Sequence, residues 1–250
     1  MFDPTTSTLR FKIETGASVS VLWLALGSPA LAEIAARAQP DAIVLDAQHG
    51  LWDRASVEYA VGLAAPVPVL VRVAANDATA IGQALDAGAE GVIVPLIESG
   101  EEAERAVSYA RFPPKGVRSG GSLRPLANLP GYLANARRNT LVIAMIETSK
   151  GMRRARDIAE ADGLDMVLIG TGDLAISLGT EFSGDPRHEQ ACRDIRAACE
   201  AARLPCGIFT GNAEDAARRR AEGWRMTVAA NDLGVLAGGF GAAVAKVRGT

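Results

Sequence analysis

Between Leu141 and Gly179 the chain reads LVIAMIETSKGMRRARDIAEADGLDMVLIGTGDLAISLG. Two apolar runs, LVIAMI and DMVLIG, flank a polar segment long enough for one helix of about a dozen residues. Runs without polar alternation suit strands buried on both faces, as in a parallel sheet covered by helices. Strand, crossover helix and strand make a parallel βαβ unit. Each run leads into an acid: Glu147 follows the first, and Asp173 closes the TGD loop after the second. Both acids therefore fall at the carboxyl edge of the sheet, where α/β proteins bind ligands. Two readings are open for the pair. They are oxygen ligands of a divalent cation, or they are loop acids capping the helices that follow.

The same pattern extends over the chain. Apolar strands are predicted at Val19–Leu26, Ala42–Asp46, 68–73, 91–95, 141–146, 165–170, 205–210 and 225–230. Helices are expected between them. Ser28 with Pro29, Asp53, Asp77 and Asp185 with Pro186 mark helix starts, and Gly88 marks a helix end. A longer irregular stretch, RFPPKGVRSGGSLRPLANLPGY, precedes a short helix near Tyr132–Arg138. Eight strand–helix repeats in 250 residues predict one (β/α)8 barrel domain over residues 1–250, with residues 1–17 a leader packed on the barrel. An open doubly wound sheet is the alternative.

Composition removes several function classes. The net charge is -3 and no basic block marks a nucleic-acid footprint. Gly, Pro or charge interrupts every apolar run before membrane-spanning length, and MFDPTTSTLRFK lacks the apolar core of a signal peptide. A cytoplasmic location is expected. Cys192, Cys199 and Cys206 are read as three reduced thiols. With no CxxC and only His49 and His188, a zinc site has little support.

Polar residues at the predicted strand ends carry the candidate chemistry. They are Asp46, Gln48 and His49 after strand two, Arg72 in strand three, Glu147 and Asp173. Carboxylates with few nitrogen ligands favour magnesium or manganese, with cobalt or a similar ion as a further candidate. Arg72 interrupts an apolar run and needs a partner. It is read either as an ion pair with Asp46 or as a clamp on a substrate oxygen, and both hold if Asp46 orients it. His49 is the candidate general acid/base, whereas His188 is expected on the surface. The GTGDLA motif at 170–175 matches a dinucleotide pattern. Its Asp173 would stand where a pyrophosphate should lie, so nucleotide binding is disfavoured. Residues 116–121 are expected to form a mobile active-site loop, with Arg118 reaching an anion. None of the four lysines lies in a predicted strand, which disfavours a Schiff-base route.

These blocks, in this order, resemble the HpcH/HpaI aldolases, metal-dependent pyruvate aldolases on a (β/α)8 barrel. The matching segments are GSPALAEIAARAQPDAIVLDAQHG, VRVAANDATAIGQALDAGAEGVIVPLIES, RFPPKGVRS, IET and IGTGDLAISLG. The resemblance implies Glu147 and Asp173 as metal ligands and His49 as the catalytic histidine. It implies Arg72 as stabiliser of enolate oxygen charge and Asp86 as the acid that raises the basicity of His49. It implies that the backbone amides of Gly172 and Asp173 hold the pyruvate carboxylate. Three departures stand out: Gln48 replaces a common Glu, Met145 replaces a common substrate-contacting Gln, and GTGD replaces GPAD.

The implied reaction is cleavage or formation of a 4-hydroxy-2-oxo acid, giving pyruvate, or an analogue such as hydroxypyruvate, and an aldehyde. The alternatives are a lyase acting on a CoA ester, as in citrate-lyase β types, and a non-catalytic 2-oxo-acid binder. The Ala/Gly-rich final helix, about 231–247, is apolar and needs a partner. The resemblance implies that it is exchanged between subunits of a homohexamer, a trimer of dimers.

Overall fold

The computed structural model describes residues 9–121, 126, 128–180 and 184–249. The first eight residues of the expected leader and residues 122–125 and 127 of the irregular stretch lie outside them. Eight parallel strands close into a barrel in sequence order, from β1 to β8 and back to β1. They are β1 (Val19–Leu24), β2 (Ala42–Asp46), β3 (Val69–Arg72), β4 (Gly91–Val94), β5 (Leu141–Ile146), β6 (Met166–Ile169), β7 (Cys206–Ile208) and β8 (Met226–Asn231). This is the (β/α)8 barrel that the repeat pattern predicts.

Strand parity divides the core in two. Val19, Val21 and Trp23, Ala42 and Val44, Leu70, Ile93, Ile143 and Met145, Leu168 and Val228 fill the barrel interior. The alternate residues, such as Ile43, Leu45, Val71, Val92 and Val167, pack outward against the helix ring. Side chains alternate with period two, so Asp46 follows Val44 inward, Arg72 follows Leu70, and Glu147 follows Met145. The polar end of the barrel is thus written by the same parity as its apolar filling.

The helix Leu9–Glu14 closes the opposite end, where Leu9 and Ile13 join the interior cluster. The helix Ala78–Asp86 runs from its Asp77 cap, which accepts from Thr79 N and Ala80 N, to Gly88 at φ 96°. The single helix expected between β5 and β6 is broken at Arg154 into Ser149–Arg153 and Ala155–Ala159. The helix Leu129–Asn139 is longer than expected at both ends. The three cysteines are free and buried, two of them on the helix Pro186–Ala201. Among the described residues no helix is long and apolar enough to cross a membrane.

Candidate active site

A cavity of about 340 Å³ opens at the carboxyl ends of the strands. Its walls include Trp23, Asp46, His49, Arg72, Met145, Glu147, Phe209 and the loop Gly170–Asp173. The sequence candidates Asp46, His49, Arg72, Met145, Glu147, Gly172 and Asp173 are therefore brought together. A larger hollow of about 950 Å³ lies at the other end of the barrel, against Arg10, Arg111 and Asp165. It holds none of the candidate groups, so size does not mark the chemistry here.

Asp46 and Arg72 are paired across β2 and β3. Arg72 Nε donates to Asp46 Oδ1 at 2.9 Å and Nη2 to Oδ2 at 2.5 Å. Trp23 Nε1 donates to Oδ2 at 3.2 Å, and the backbone amides of Gln48 and His49 donate to Oδ1. Burial pushes the Asp46 carboxyl up, but the Arg72 hydrogen bonds and charge outweigh it, so the group titrates below its ordinary range. The Trp23 ring lies 5.1 Å from the guanidinium and meets Phe209 edge-on. Arg72 Nη1 is left with only the Met145 sulfur at 3.9 Å, a weak acceptor. The ion pair with Asp46 is thus formed and the clamp reading is compatible with it: Asp46 fixes one side of the guanidinium and leaves Nη1 with only that weak acceptor.

Glu147 is buried at the end of β5. Its Oε1 accepts from Leu96 N at 2.8 Å, while Oε2 is buried without a hydrogen-bond partner. Burial is the main cause that raises its carboxyl, to about 7; the Leu96 amide and Arg72 charge oppose it, and neighbouring Asp173 adds to it. Leu96 aims its amide here from a left-handed backbone, φ 55°, which a non-glycine residue adopts at a cost. Gly170 is required for space: a Cβ there would lie 2.6 Å from Glu147 Oε2 and 2.8 Å from the methyl of Met145. Asp173 sits in the first turn of the helix Thr171–Leu178, which places its side chain beside Glu147. The orphaned oxygen and the adjoining acid make Glu147 and Asp173 the pair of oxygen donors that could hold a cation in this cavity.

Several expectations need correction. His188 is not on the surface; it is 2% exposed, and its Nε2 lies 3.0 Å from the carbonyl of Thr171. It starts a helix whose first turn backs onto the Gly170–Asp173 loop, a contact between distant segments that local polarity does not announce. Arg118 lies away from this protomer's cavity. The helix Gly100–Ala110 returns the chain to the amino end of the barrel, where Arg111 binds Thr140 O and Asp165. There Arg118 pairs with Asp86 at 2.9 Å and lies over the rings of Phe112 and Tyr132. Asp86 accordingly stands at the far end of this protomer from His49, and the acid that contacts His49 within the protomer is Asp46, through the His49 backbone amide. Gln48 contributes its amide to Asp46 but does not line the cavity.

Four contributors went unnoticed in the sequence. Trp23 and Phe209 were legible through inward parity. Leu96 carried no signal, because its role depends on a backbone angle. Asp232, at the start of the last helix, accepts from Ala25 N and Leu26 N and ties the loop after β1 to the cavity wall. Its signal was an acid directly after an apolar strand, like Glu147.

The family model for HpcH/HpaI aldolase/citrate lyase matches residues 19–238. The chain belongs to the HpcH/HpaI aldolase/citrate lyase family. A hydroxypyruvate/pyruvate aldolase of Rhizorhabdus wittichii is 36% identical over 233 residues, 90% of this chain and 92% of that protein. A 4-hydroxy-2-oxovalerate aldolase of Rhodococcus jostii is 37% identical over 196 residues, 75% of each. The crystal structure of a family member from Burkholderia cenocepacia superposes with a TM-score of 0.91, at 32% identity, over 97% of this chain and 100% of that one. This family aldolase is a lyase acting on small molecules, and its cavity is built on the strand ends just described.

Proposed function

We propose that this aldolase cleaves and forms 4-hydroxy-2-oxo acids, with pyruvate or a close analogue such as hydroxypyruvate as one product and an aldehyde as the other. The observation that carries the reading is the buried, unpartnered Glu147 Oε2 next to Asp173, in the same cavity as Arg72, whose Nη1 has only the weak Met145 sulfur acceptor.

Glu147 and Asp173 fit a divalent cation as oxygen ligands. No group of three or more His, Cys, Asp or Glu suited to a metal occurs among the described residues. A two-carboxylate set leaves positions for water and substrate, which suits magnesium or manganese. When bound, the ion supplies Lewis-acid polarisation of the 2-oxo group.

The chain's own residues do the rest. The backbone N–H groups of Gly172 and Asp173, at the start of a helix, hold the substrate carboxylate. Arg72, held rigid by Asp46, donates Nη1 to the oxygen on which negative charge develops. His49 takes the proton of the 4-hydroxyl group. The O–H electrons form the aldehyde carbonyl, the C3–C4 bond breaks, and its electrons pass to the enolate of pyruvate. The proton taken up by His49 passes to C3, which completes pyruvate and restores the base. Trp23, Met145 and Phe209 line the cavity with apolar surface and restrict water near the enolate. The exposed final helix supports a homo-oligomeric assembly, with a hexamer as the proposed form.

The test is pyruvate release from a panel of 4-hydroxy-2-oxo acids, in EDTA and with added Mn²⁺ or Mg²⁺. Cation-dependent release is expected. Turnover that survives EDTA and the Glu147→Ala substitution would overturn the ligand assignment. Pyruvate binding without turnover of any panel member would leave a non-catalytic binder or a CoA-ester lyase.

A further inference from the structure

The structure assigns His188 as a positioning residue that aims the Gly172 N–H group into the active-site cavity. The inference rests on the proposed role of that amide in holding the substrate carboxylate.

His188 lies in the first turn of the helix Pro186–Ala201, outside the cavity lining and behind the Gly170–Asp173 loop. Its Nε2 is 3.0 Å from Thr171 O. A carbonyl only accepts, so Nε2 carries a proton and donates to it. Nδ1 is buried with no hydrogen-bond partner among the described residues. The ring thus loses water at both nitrogens and recovers one hydrogen bond, so the unsatisfied nitrogen is a cost that an apolar side chain of similar size would not carry. The retained bond to Thr171 is the compensating feature.

That bond has a directional consequence. The Thr171–Gly172 peptide is trans and planar, so its C=O and N–H point in opposite directions. The helix Thr171–Leu178 already directs the Gly172 amide toward its N-terminal end, and the His188 bond to the Thr171 carbonyl fixes the rotation of that same peptide. Thr171 is held a second time, since its hydroxyl donates to Phe209 O at 3.1 Å. Both Thr171 and Gly172 line the cavity, and Asp173 follows directly. Rotation of this one peptide would withdraw a donor from the anion site without moving any side chain that does chemistry.

The test compares His188→Leu, His188→Gln and His188→Asn by pyruvate binding calorimetry at saturating Mn²⁺, retro-aldol kinetics and thermal melting. Leu removes the donor and keeps the apolar fit. Gln carries an N–H at about the reach of Nε2, and Asn falls short of it. The expected result is a Leu variant that melts no lower than wild type, binds pyruvate about five- to tenfold more weakly, and keeps kcat within about twofold. Gln is expected to bind pyruvate within about twofold of wild type, and Asn as weakly as Leu. Unchanged pyruvate affinity in His188→Leu overturns the inference, as does a Gln variant no better than Asn. If the Leu variant does not fold, the Gln-over-Asn difference decides alone. Wild-type protein that binds no pyruvate with either cation overturns this inference together with the proposed function. Wild type that binds pyruvate but turns over no panel member overturns only the lyase reading.

Discussion

Arg72 and Asp46 occupy opposed positions on adjacent strands, and two of the guanidinium nitrogens are spent on the one carboxylate. Both side chains are buried. Removing the acid leaves an uncompensated buried charge, which costs about 3–5 kcal/mol. Asp46→Ala should lower urea-denaturation stability by that order, and Asp46→Asn should lower kcat by about a hundredfold because Arg72 loses its fixed orientation. A near-wild-type kcat in Asp46→Asn would show that Arg72 is held by other means. The pH dependence has a definite sign. The Asp46 carboxyl is lowered in the fold, so its stabilisation is complete above its ordinary value of 3.8 and is lost as pH falls through the lower folded value. The acid arm of the stability profile should therefore flatten in Asp46→Asn.

Glu147 behaves in the opposite sense. Its folded value of about 7 exceeds the ordinary 4.5. The metal-free fold retains a proton there that the unfolded chain releases between those values. That contribution is complete below pH 4.5 and is lost as pH rises through about 7. EDTA-treated protein should accordingly lose melting temperature from pH 5 to pH 8, and Mn²⁺ should restore it. Mn²⁺ affinity should rise up to about tenfold per pH unit until pH 7, because the cation displaces this proton. Glu147→Gln should abolish both effects in a melting series with and without Mn²⁺.

Gly170 has φ -83°, which any residue can adopt, so its requirement is volume rather than backbone freedom. Gly170→Ala drives a methyl group against Glu147 Oε2 and the Met145 side chain. The variant should fold, yet bind Mn²⁺ about ten- to a hundredfold more weakly, the usual scale for disturbing a ligand's support. Mn²⁺ binding followed by electron paramagnetic resonance measures this directly. Wild-type affinity would mean that Glu147 is free to move away.

The final helix, Asp232–Arg248, buries only Asp232, while Leu233, Val235, Phe240 and Val244 remain exposed on it. Apolar surface of this kind is covered by a partner in a stable protein. Phe240→Asp combined with Val244→Asp should shift the protein to smaller species in analytical ultracentrifugation at micromolar concentration. Wild type sedimenting as a monomer would refute the oligomer outright. Asp232 also ties this helix to the loop after β1, so activity should fall with dissociation.

Strand identity and order were legible because parallel strands buried on both faces leave unbroken apolar runs. Glu147 stood out because it directly follows such a run, and Asp173 because it closes the short loop after the next one. Arg72 was legible as a charge inside one. His188 and Arg118 were misread, because the place of each depends on which segment the barrel closure brings against it. A histidine amid DPRHEQ looks solvated, yet its turn of helix is pressed against Thr171. A Gly-rich loop with an arginine looks like an anion cradle, yet chain direction delivers it to the amino end of the barrel.

The amino-acid sequence by itself determined the repeat of strand and helix, the inward parity of Asp46, Arg72 and Glu147, and the family to which the chain belongs. Period-two geometry and apolar burial act within a few residues, so they can be read locally. Only the tertiary structure decided that Asp46 and Arg72 share two hydrogen bonds, that one oxygen of Glu147 has no partner, and that His188 anchors the Thr171 carbonyl. Those are contacts between segments 17 to 51 residues apart, fixed by barrel closure and by the loss of water around each group.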